Sequence, residues 1–293
     1  KAEDSLIKAI SLSPKNADFH FKLSDIYSAK EEYSRSLISI KKAISFEPDN
    51  HIYQGELTRI KFLSGKPWSD SDDFYFEDNN KENLIVIFSS NGFDMSKPPP
   101  FNFFKILSRY EHFDKLFVRD FERNYYVDGL LNSTKNIKET ISLLEKYVTQ
   151  KSYKKIVSLG ASSGGYAAIL YGHLLGFSKV LAFNPQTVIS REKEEIIKDT
   201  ILTVERSRFL RDRYPEDSFY QKCLNLKNFL PFNTSVNLHY SKFSENEIDK
   251  NYAEYISHEN CKLIPHDSST HLLALELRES GELEKIILDE FNY

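Results

Sequence analysis

The sequence of 293 residues predicts an α/β fold, a doubly wound and mostly parallel sheet, preceded by a small all-α region of helical repeats. From residue 84 onward, apolar runs of strand length alternate with helical segments, which is the pattern of a sheet with helices on both faces. Nearer the amino terminus, "AISLSPKN" at residues 9–16 returns as "AISFEPDN" at residues 43–50. A polar, turn-rich segment separates the two regions and marks a domain boundary.

The repeat has the length of a tetratricopeptide unit. Because its two copies start at residues 9 and 43, the period is 34 residues. Residues 1–65 resemble the end of one such unit, a whole unit from Ala17 to Pro48, and the first helix of another. The positions where the two helices are expected to interlock are Leu23, Tyr27, Ile40 and Ala43. The alternative is an ordinary helical hairpin with a chance repeat. Because stacked repeats leave a groove for peptides, a protein or peptide partner is expected here.

The α/β domain is predicted to occupy residues 84–293, after a linker at residues 66–83. Its predicted strands are residues 84–90, 115–120, 155–160, 179–185, 235–241 and 261–266. Strands that alternate with helices require right-handed crossovers, so these strands are expected to run parallel. The longest break in the alternation, about residues 190–232, is charged and helical in pattern. It predicts a helical insertion that acts as a lid.

Composition argues against several classes of partner. The net charge is -4, the pI is about 6.1 and the basic residues are scattered, so neither nucleic acid nor an acidic membrane surface is expected. No run of 18 apolar residues occurs, so no membrane span is expected. Cys223 and Cys261 lack metal or redox spacing and are expected to be free thiols in a reducing compartment, which favours a cytoplasmic location. No metal-binding motif is present, and neither a metal nor a cofactor is predicted.

One glycine-rich segment contains the predicted catalytic nucleophile. In "VSLGASSGGYAAILYG", residues 157–172, positions 160–164 read G-x-S-x-G between a predicted strand and a predicted helix, which is the context of a nucleophile elbow. Ser162 is therefore expected on a strained turn above the sheet, as the nucleophile. The backbone N–H of Ser163 is expected to form half of an oxyanion hole. A phosphate-binding turn is the alternative, but neither a lysine nor G-x-G-x-x-G spacing accompanies the segment.

A histidine must activate the serine, and in this topology the order along the chain is serine, acid, histidine. That order leaves three of the eight histidines, of which His258 precedes the last strand. His266 ends that strand, whereas His271 follows the next loop and opens the final helix. We favour His271, because a base on the last loop reaches the elbow while a strand-end side chain more often packs or faces solvent.

The acid is expected between the strand at 235–241 and its following helix. That loop holds Glu245, Glu247 and Asp249. Asp249 is a natural cap for the helix, and a capping carboxylate is less free to orient a histidine, so Glu245 is slightly preferred. The second oxyanion donor is expected from the loop after the first strand, which contains Asn91 and Gly92.

These segments resemble a known family. "LIVIFSSNG", "LFVRDFERNYYVDG", "VSLGASSGGYAAILYG" and "VLAFNPQTVIS" occur in the order seen in α/β-hydrolase-fold proteins encoded near bacterial surface-polysaccharide genes, which often follow tetratricopeptide units. The chain is more distantly similar to accessory-secretion hydrolase-fold proteins that act on glycosylated adhesins. The resemblance covers about residues 84–293 and implies an acyl-transfer site on Ser162 and His271, with Glu245 or Asp249 as the acid. One departure is Ser163, where many relatives have methionine or another apolar residue.

The sequence thus predicts a serine hydrolase, most simply a carboxylic-ester esterase that deacylates a small molecule or a glycan through an acyl-enzyme. A glycan O-acyltransferase with the same triad is the close alternative, because it differs only in whether water or a sugar hydroxyl accepts the acyl group. The alternative from another class is a non-catalytic interaction protein, in which the helical repeats bind a partner and the α/β domain is an inert platform.

Overall fold

The chain divides into two compact units, Lys1–Ser69 and Asp70–Tyr293. The computed structural model describes residues 2–65, 68–92, 94, 96–190, 212–215 and 218–293. The boundary between the units falls close to the predicted end of the repeat region at residue 65.

The first unit consists of helices α1 (Ala2–Leu12), α2 (Ala17–Ala29), α3 (Tyr33–Phe46) and α4 (His51–Ser64). Each helix packs against the next along the chain. The Asn16 side chain caps α2 by accepting a hydrogen bond from the Phe19 N–H at 3.1 Å. All four of the positions expected to interlock are buried: Leu23, Tyr27, Ile40 and Ala43. The helices therefore lie where the repeat pattern places them, and their assignment to tetratricopeptide units stays a prediction.

The second unit is built on a seven-stranded sheet in the order β1-β3-β2-β4-β5-β6-β7. The strands are β1 (Phe74–Glu77), β2 (Asn83–Phe88), β3 (Asp114–Val118), β4 (Lys155–Ala161), β5 (Lys179–Phe183), β6 (Ser235–Ser241) and β7 (Cys261–His266). Strands β2 to β7 pair in parallel, and β1 is antiparallel to β3. This confirms the predicted doubly wound, mostly parallel sheet.

The helices of this unit alternate with the strands. In the described ranges they are α5 (Phe104–Leu107), α6 (Ile137–Thr149), α7 (Ser163–Leu174), α8 (Phe219–Cys223), α9 (Ile248–Tyr255), α10 (Leu273–Ser280) and α11 (Glu282–Asp289), with short 3-10 turns at Leu226–Phe229 and Glu245–Glu247. The long final helix expected from the sequence is in fact two helices, which meet at Gly281 with a φ of +80°.

The core explains why the strands are continuous apolar runs. Every residue of β3, and every residue of β2 after Asn83, is buried, because helices cover both faces of the parallel sheet. Helix α7 is buried from Ser163 to Gly172 and forms the centre of the core. None of the helices in the described ranges combines the length and the apolar composition that a membrane span requires.

The predicted linker and the predicted helical insertion differ from the sequence-based expectation or lie largely outside the described residues. The segment predicted as a linker, residues 66–83, contains β1, whose Glu77 pairs in register with the buried Lys115 of β3 and forms an ion pair with it. The strand was missed because four residues give too little alternation to identify. Most of the predicted insertion, residues 191–211 and 216–217, lies outside the described residues, and the described remainder holds α8 and the first 3-10 turn.

Candidate active site

The candidate site lies at the carboxyl ends of the parallel strands, the edge of an open α/β sheet where ligands generally bind. The loops after β2, β4, β5, β6 and β7 all leave the sheet at this edge, because these strands run in the same direction. Topology therefore gathers segments that are far apart in sequence.

The turn between β4 and α7 carries Ser162 in a conformation that side chains rarely adopt. Its φ is 53° and its ψ is -122°, which is a strained backbone geometry. A Cβ at Gly160 would overlap the Gly164 carbonyl, and a Cβ at Gly164 would overlap the Phe88 carbonyl at the end of β2. Both positions must be glycine for the helix to approach the strands this closely. The Ser162 N–H donates to the Phe183 carbonyl at 2.9 Å, which fixes the turn to β5.

His271 lies against this serine. The distance from His271 Nε2 to Ser162 Oγ is 2.9 Å, within hydrogen-bond reach for proton transfer. The other ring nitrogen, Nδ1, lies 2.7 Å from Asp249 Oδ1. Because a carboxylate can only accept, Nδ1–H donates to Asp249, and Nε2 of the neutral ring accepts from the Ser162 hydroxyl.

The carboxylate at the histidine is Asp249 and not Glu245, which the sequence slightly preferred. Glu245 and Glu247 are exposed, whereas the Asp249 side chain is only 1% exposed. The preference rested on the assumption that Asp249 caps helix α9, and this is wrong. Asp249 lies inside the first turn, where its N–H donates to Ser244 Oγ at 3.1 Å, so its carboxylate is free to reach His271.

The competing histidine, His266, packs within the sheet instead. Its Nε2 lies 3.0 Å from Nδ1 of His239 on the neighbouring strand β6. Burial, and to a smaller extent the His266 ring, lowers the pKa of His239 to about 3. Burial also lowers the pKa of His266. The strand-end histidine therefore contacts another imidazole, as expected for a side chain that packs.

The three residues predicted for the oxyanion hole lie beside one another. The Ser163 side chain is buried, and its Oγ accepts a hydrogen bond from the Asn91 N–H at 3.2 Å and donates one to Asn91 Oδ1 at 3.1 Å. Ser163 opens helix α7, where N–H groups have no partner within the helix. Gly92 follows with a φ of +74°. The loop after β2 is thus joined to the elbow by side-chain and backbone hydrogen bonds.

Sequence reasoning missed a buried network that holds the histidine loop. Asn184, directly after β5, donates from Nδ2 to the carbonyls of Thr270 and His271 at 3.2 and 3.0 Å and to Ser241 Oγ at 3.0 Å. Its Oδ1 accepts the Ser241 N–H at 2.8 Å. The only signal in the sequence is a polar residue at the carboxyl end of a buried strand. This signal is consistent with the carboxyl edge of the sheet, but it does not indicate the partners of Asn184.

The sheet order, the strained serine turn and the histidine loop after the last strand are those of the α/β-hydrolase fold, and the chain has this fold. No family model matches the sequence, and a search of curated proteins finds no match.

Solved structures with this fold are similar to the chain. The capsule O-acetyltransferase of Neisseria meningitidis serogroup A shows 15% identity and a TM-score of 0.52, over 72% of this chain and 90% of that one. A variant of that enzyme, with a histidine replaced by alanine, is known in complex with CoA. The glycosylation-associated protein complex Gap123 of Streptococcus agalactiae shows 16% identity and a TM-score of 0.53, over 73% of this chain and 43% of that one. An α/β hydrolase from a lagoon-sediment metagenome shows 14% identity, over 75% and 95% of the two chains, with a TM-score of 0.46.

Proposed function

We propose that the chain is a serine-dependent acyl-transfer enzyme, most simply an esterase that removes an acyl group from a glycan or a small molecule. The observation that carries the proposal is the continuous line of hydrogen bonds from Ser162 Oγ through both ring nitrogens of His271 to Asp249. A serine hydroxyl is a weak nucleophile, and this arrangement supplies both its base and the group that orients the base.

The reaction follows from these atoms. Ser162 Oγ attacks the acyl carbonyl carbon while His271 Nε2 takes the hydroxyl proton, and Asp249 stabilises the imidazolium that results. The carbonyl oxygen becomes an oxyanion that accepts hydrogen bonds from backbone N–H groups, of which the Ser163 amide at the start of α7 is one. Collapse expels the leaving group, which takes the proton from His271 and leaves the acyl group on Ser162. Water or a sugar hydroxyl then attacks the acyl-enzyme by the same steps in reverse.

The second candidate is O-acetyl transfer to a glycan. The similarity to a capsule O-acetyltransferase favours it, since that enzyme has the same fold over most of its length and binds CoA in one of its forms. In this case the leaving group is a thiolate and the acceptor a sugar hydroxyl, and the three residues keep their roles.

The helical unit is proposed to bind a protein or peptide partner. The support is its 34-residue period and the burial of the four positions expected to interlock. A cytoplasmic location is proposed on the two free and buried thiols, Cys223 and Cys261, which suit a reducing compartment.

The test compares wild type with Ser162→Ala. We expect wild type to hydrolyse p-nitrophenyl acetate with an initial burst and Ser162→Ala to lose at least about 10³-fold in kcat. A fluorophosphonate probe should label wild type at Ser162, as located by mass spectrometry of the peptides. Equal turnover by the two proteins, with no label on Ser162, would contradict the proposal and favour the inert-platform alternative.

The molecule that accepts the acyl group distinguishes an esterase from an O-acetyltransferase. With acetyl-CoA as donor, release of CoA that depends on an added glycan and not on water alone indicates a transferase. Hydrolysis of p-nitrophenyl acetate that added glycan leaves unchanged indicates an esterase.

A further inference from the structure

A buried arginine holds the loop that follows β2. Arg123 is 7% exposed, and its guanidinium donates from Nε to the Asn91 carbonyl at 2.8 Å. Its Nη2 donates to the carbonyls of Asp94 at 3.1 Å and Lys97 at 2.7 Å. One planar, always-charged group therefore connects three points of the loop after β2, whose described residues 89–92, 94, 96 and 97 are called the oxyanion loop below.

The contacts of Asn91 distinguish the two candidate amides of this loop. The Asn91 N–H is already donated to Ser163 Oγ. The next amide, the Gly92 N–H, donates to no acceptor among the described residues. It belongs to the same peptide unit as the Asn91 carbonyl that Arg123 binds, and in a trans peptide the N–H points away from the C=O. Arg123 thus fixes this unit from one side and leaves the Gly92 N–H directed to the other.

The backbone around Arg123 is unusual. Arg123, Tyr125 and Tyr126 have φ values of 54°, 57° and 63°, a left-handed conformation that is strained for bulky side chains and persists where surrounding contacts impose it. The contacts here are specific, since Tyr126 donates from its N–H to Asp120 Oδ2 at 2.9 Å and from its hydroxyl to the Ser89 carbonyl at 2.7 Å. The strained segment is fastened to the first residue of the oxyanion loop.

We propose that Arg123 is a positioning residue that orients and polarises the Asn91–Gly92 peptide so that the Gly92 N–H, with the Ser163 N–H, receives the oxyanion. This rests on the proposed function at Ser162. A cation that donates to a carbonyl draws electron density from the attached nitrogen and strengthens the N–H as a donor. The positive charge of Arg123 therefore acts on the developing negative oxygen through one peptide unit, without touching the substrate.

The chain provides a matched control in Arg119. It is 2% exposed and likewise donates to three carbonyls, those of Asp70, Asp72 and Pro99. None of these belongs to the oxyanion loop. Pro99 packs near Gly92, so removal of Arg119 tests the packing behind this residue, whereas only removal of Arg123 takes away the donor to the Asn91 carbonyl.

The experiment measures kcat and KM for p-nitrophenyl acetate in wild type, Arg123→Ala and Arg119→Ala, with and without guanidinium at non-denaturing concentration. We expect Arg123→Ala to lose about 10²-fold in kcat, which is the effect of one weakened oxyanion donor, with KM within about 3-fold of wild type. Guanidinium that enters the vacated site should restore about 10-fold of that loss, and Arg119→Ala should show neither the loss nor the restoration.

A second variant covers the case in which Arg123→Ala does not fold. Arg123→Lys keeps the charge, but a single ammonium lacks the planar fork that reaches separate carbonyls, so a smaller kcat loss of about 10-fold is expected. A folded Arg123→Ala or Arg123→Lys with the kcat of wild type overturns the inference while the role of Ser162 stands. Equal turnover by wild type and Ser162→Ala overturns the proposed function and this inference together.

Discussion

The two sides of the candidate site are built in different ways. The nucleophile side is one short stretch, residues 160–165, whose shape is imposed by backbone atoms in close approach at Gly160 and Gly164. The acid–base side is assembled from three distant points, Asn184, Asp249 and His271, which side-chain hydrogen bonds hold together. The nucleophile side is therefore determined by a few consecutive residues, whereas the acid–base side depends on the arrangement of the whole sheet.

This difference decides where substitutions act. The close backbone contacts at Gly160 and Gly164 leave no room for a side chain. A substitution of either glycine is therefore expected to lower the stability of the fold. A side-chain network can lose one member while the strands stay paired, so a change on the acid–base side is expected to affect turnover more than stability.

The largest expected effect is on the acid–base side. Asp249→Asn keeps the shape but offers His271 an amide in place of a carboxylate, which no longer holds the required tautomer, so we expect kcat to fall about 10³- to 10⁴-fold. The matched variant is Glu245→Gln on the same loop, which should leave kcat within about 2-fold, because Glu245 is exposed. The reverse ranking of the two variants would assign the acid to Glu245.

Gly164→Ala tests the elbow. The added Cβ would collide with the Phe88 carbonyl, and neither backbone moves easily, so we expect a loss of about 2–3 kcal/mol in the free energy of unfolding. Gly55→Ala is the control, since nothing lies within 4 Å of a Cβ at that exposed helical position. It should stabilise the helical unit by up to about 1 kcal/mol. Denaturant titration followed by circular dichroism measures both, and an unchanged unfolding midpoint for Gly164→Ala would refute the close approach.

Asn184→Ala tests the network behind His271. It removes the donors to the Thr270 and His271 carbonyls, so the imidazole should be less well placed and kcat should fall about 10- to 100-fold. Asn225→Ala is the matched control, because Asn225 is also buried and bonded, in this case to the Tyr255 hydroxyl at 2.8 Å. Steady-state kinetics on the folded variants measures both kcat values. Equal values for Asn184→Ala and Asn225→Ala would mean that Asn184 contributes to the fold and not to the placement of His271.

The smallest effect concerns stability alone. His239 has a pKa of about 3 in the folded protein against 6.5 when free, so protonation favours the unfolded chain. Above pH 6.5 the imidazole is neutral in both states and does not lower the free energy of unfolding. As the pH falls from 6.5 toward 3, only the unfolded chain takes up the proton, so the free energy of unfolding decreases. We expect the free energy of unfolding to drop by about 2 kcal/mol between pH 7 and pH 5 from this residue.

His239→Gln should flatten that slope, whereas His112→Gln, at an exposed histidine of the same unit, should leave it as it is. Urea unfolding at a series of pH values provides the measurement. A slope that His239→Gln does not change would show that the imidazole is not the titrating group.

The contrast also explains what the sequence could predict. The strands of the α/β unit could be predicted because apolar runs leave a local signature. Spaced glycines and a position after the last strand likewise pointed to Ser162 and His271, which lie 2.9 Å apart in the structure. The slight preference for Glu245 over Asp249 used a capping preference, which is a local rule, whereas the carboxylate beside the His271 ring is the one that the tertiary fold buries there. Asn184 and Arg123 were not found, because most of their partners are backbone groups, which are present at every position.

Helix α7 gives the site a property of its own. Because its residues from Ser163 to Gly172 are buried on every side, its amide hydrogens can exchange with solvent only when the whole unit opens. The loop that carries His271 is more exposed, and a few hydrogen bonds from Asn184 and Ser241 to its carbonyls hold it in place. The position of His271 therefore depends on a few local hydrogen bonds, whereas the position of Ser162 depends on the α/β unit as a whole.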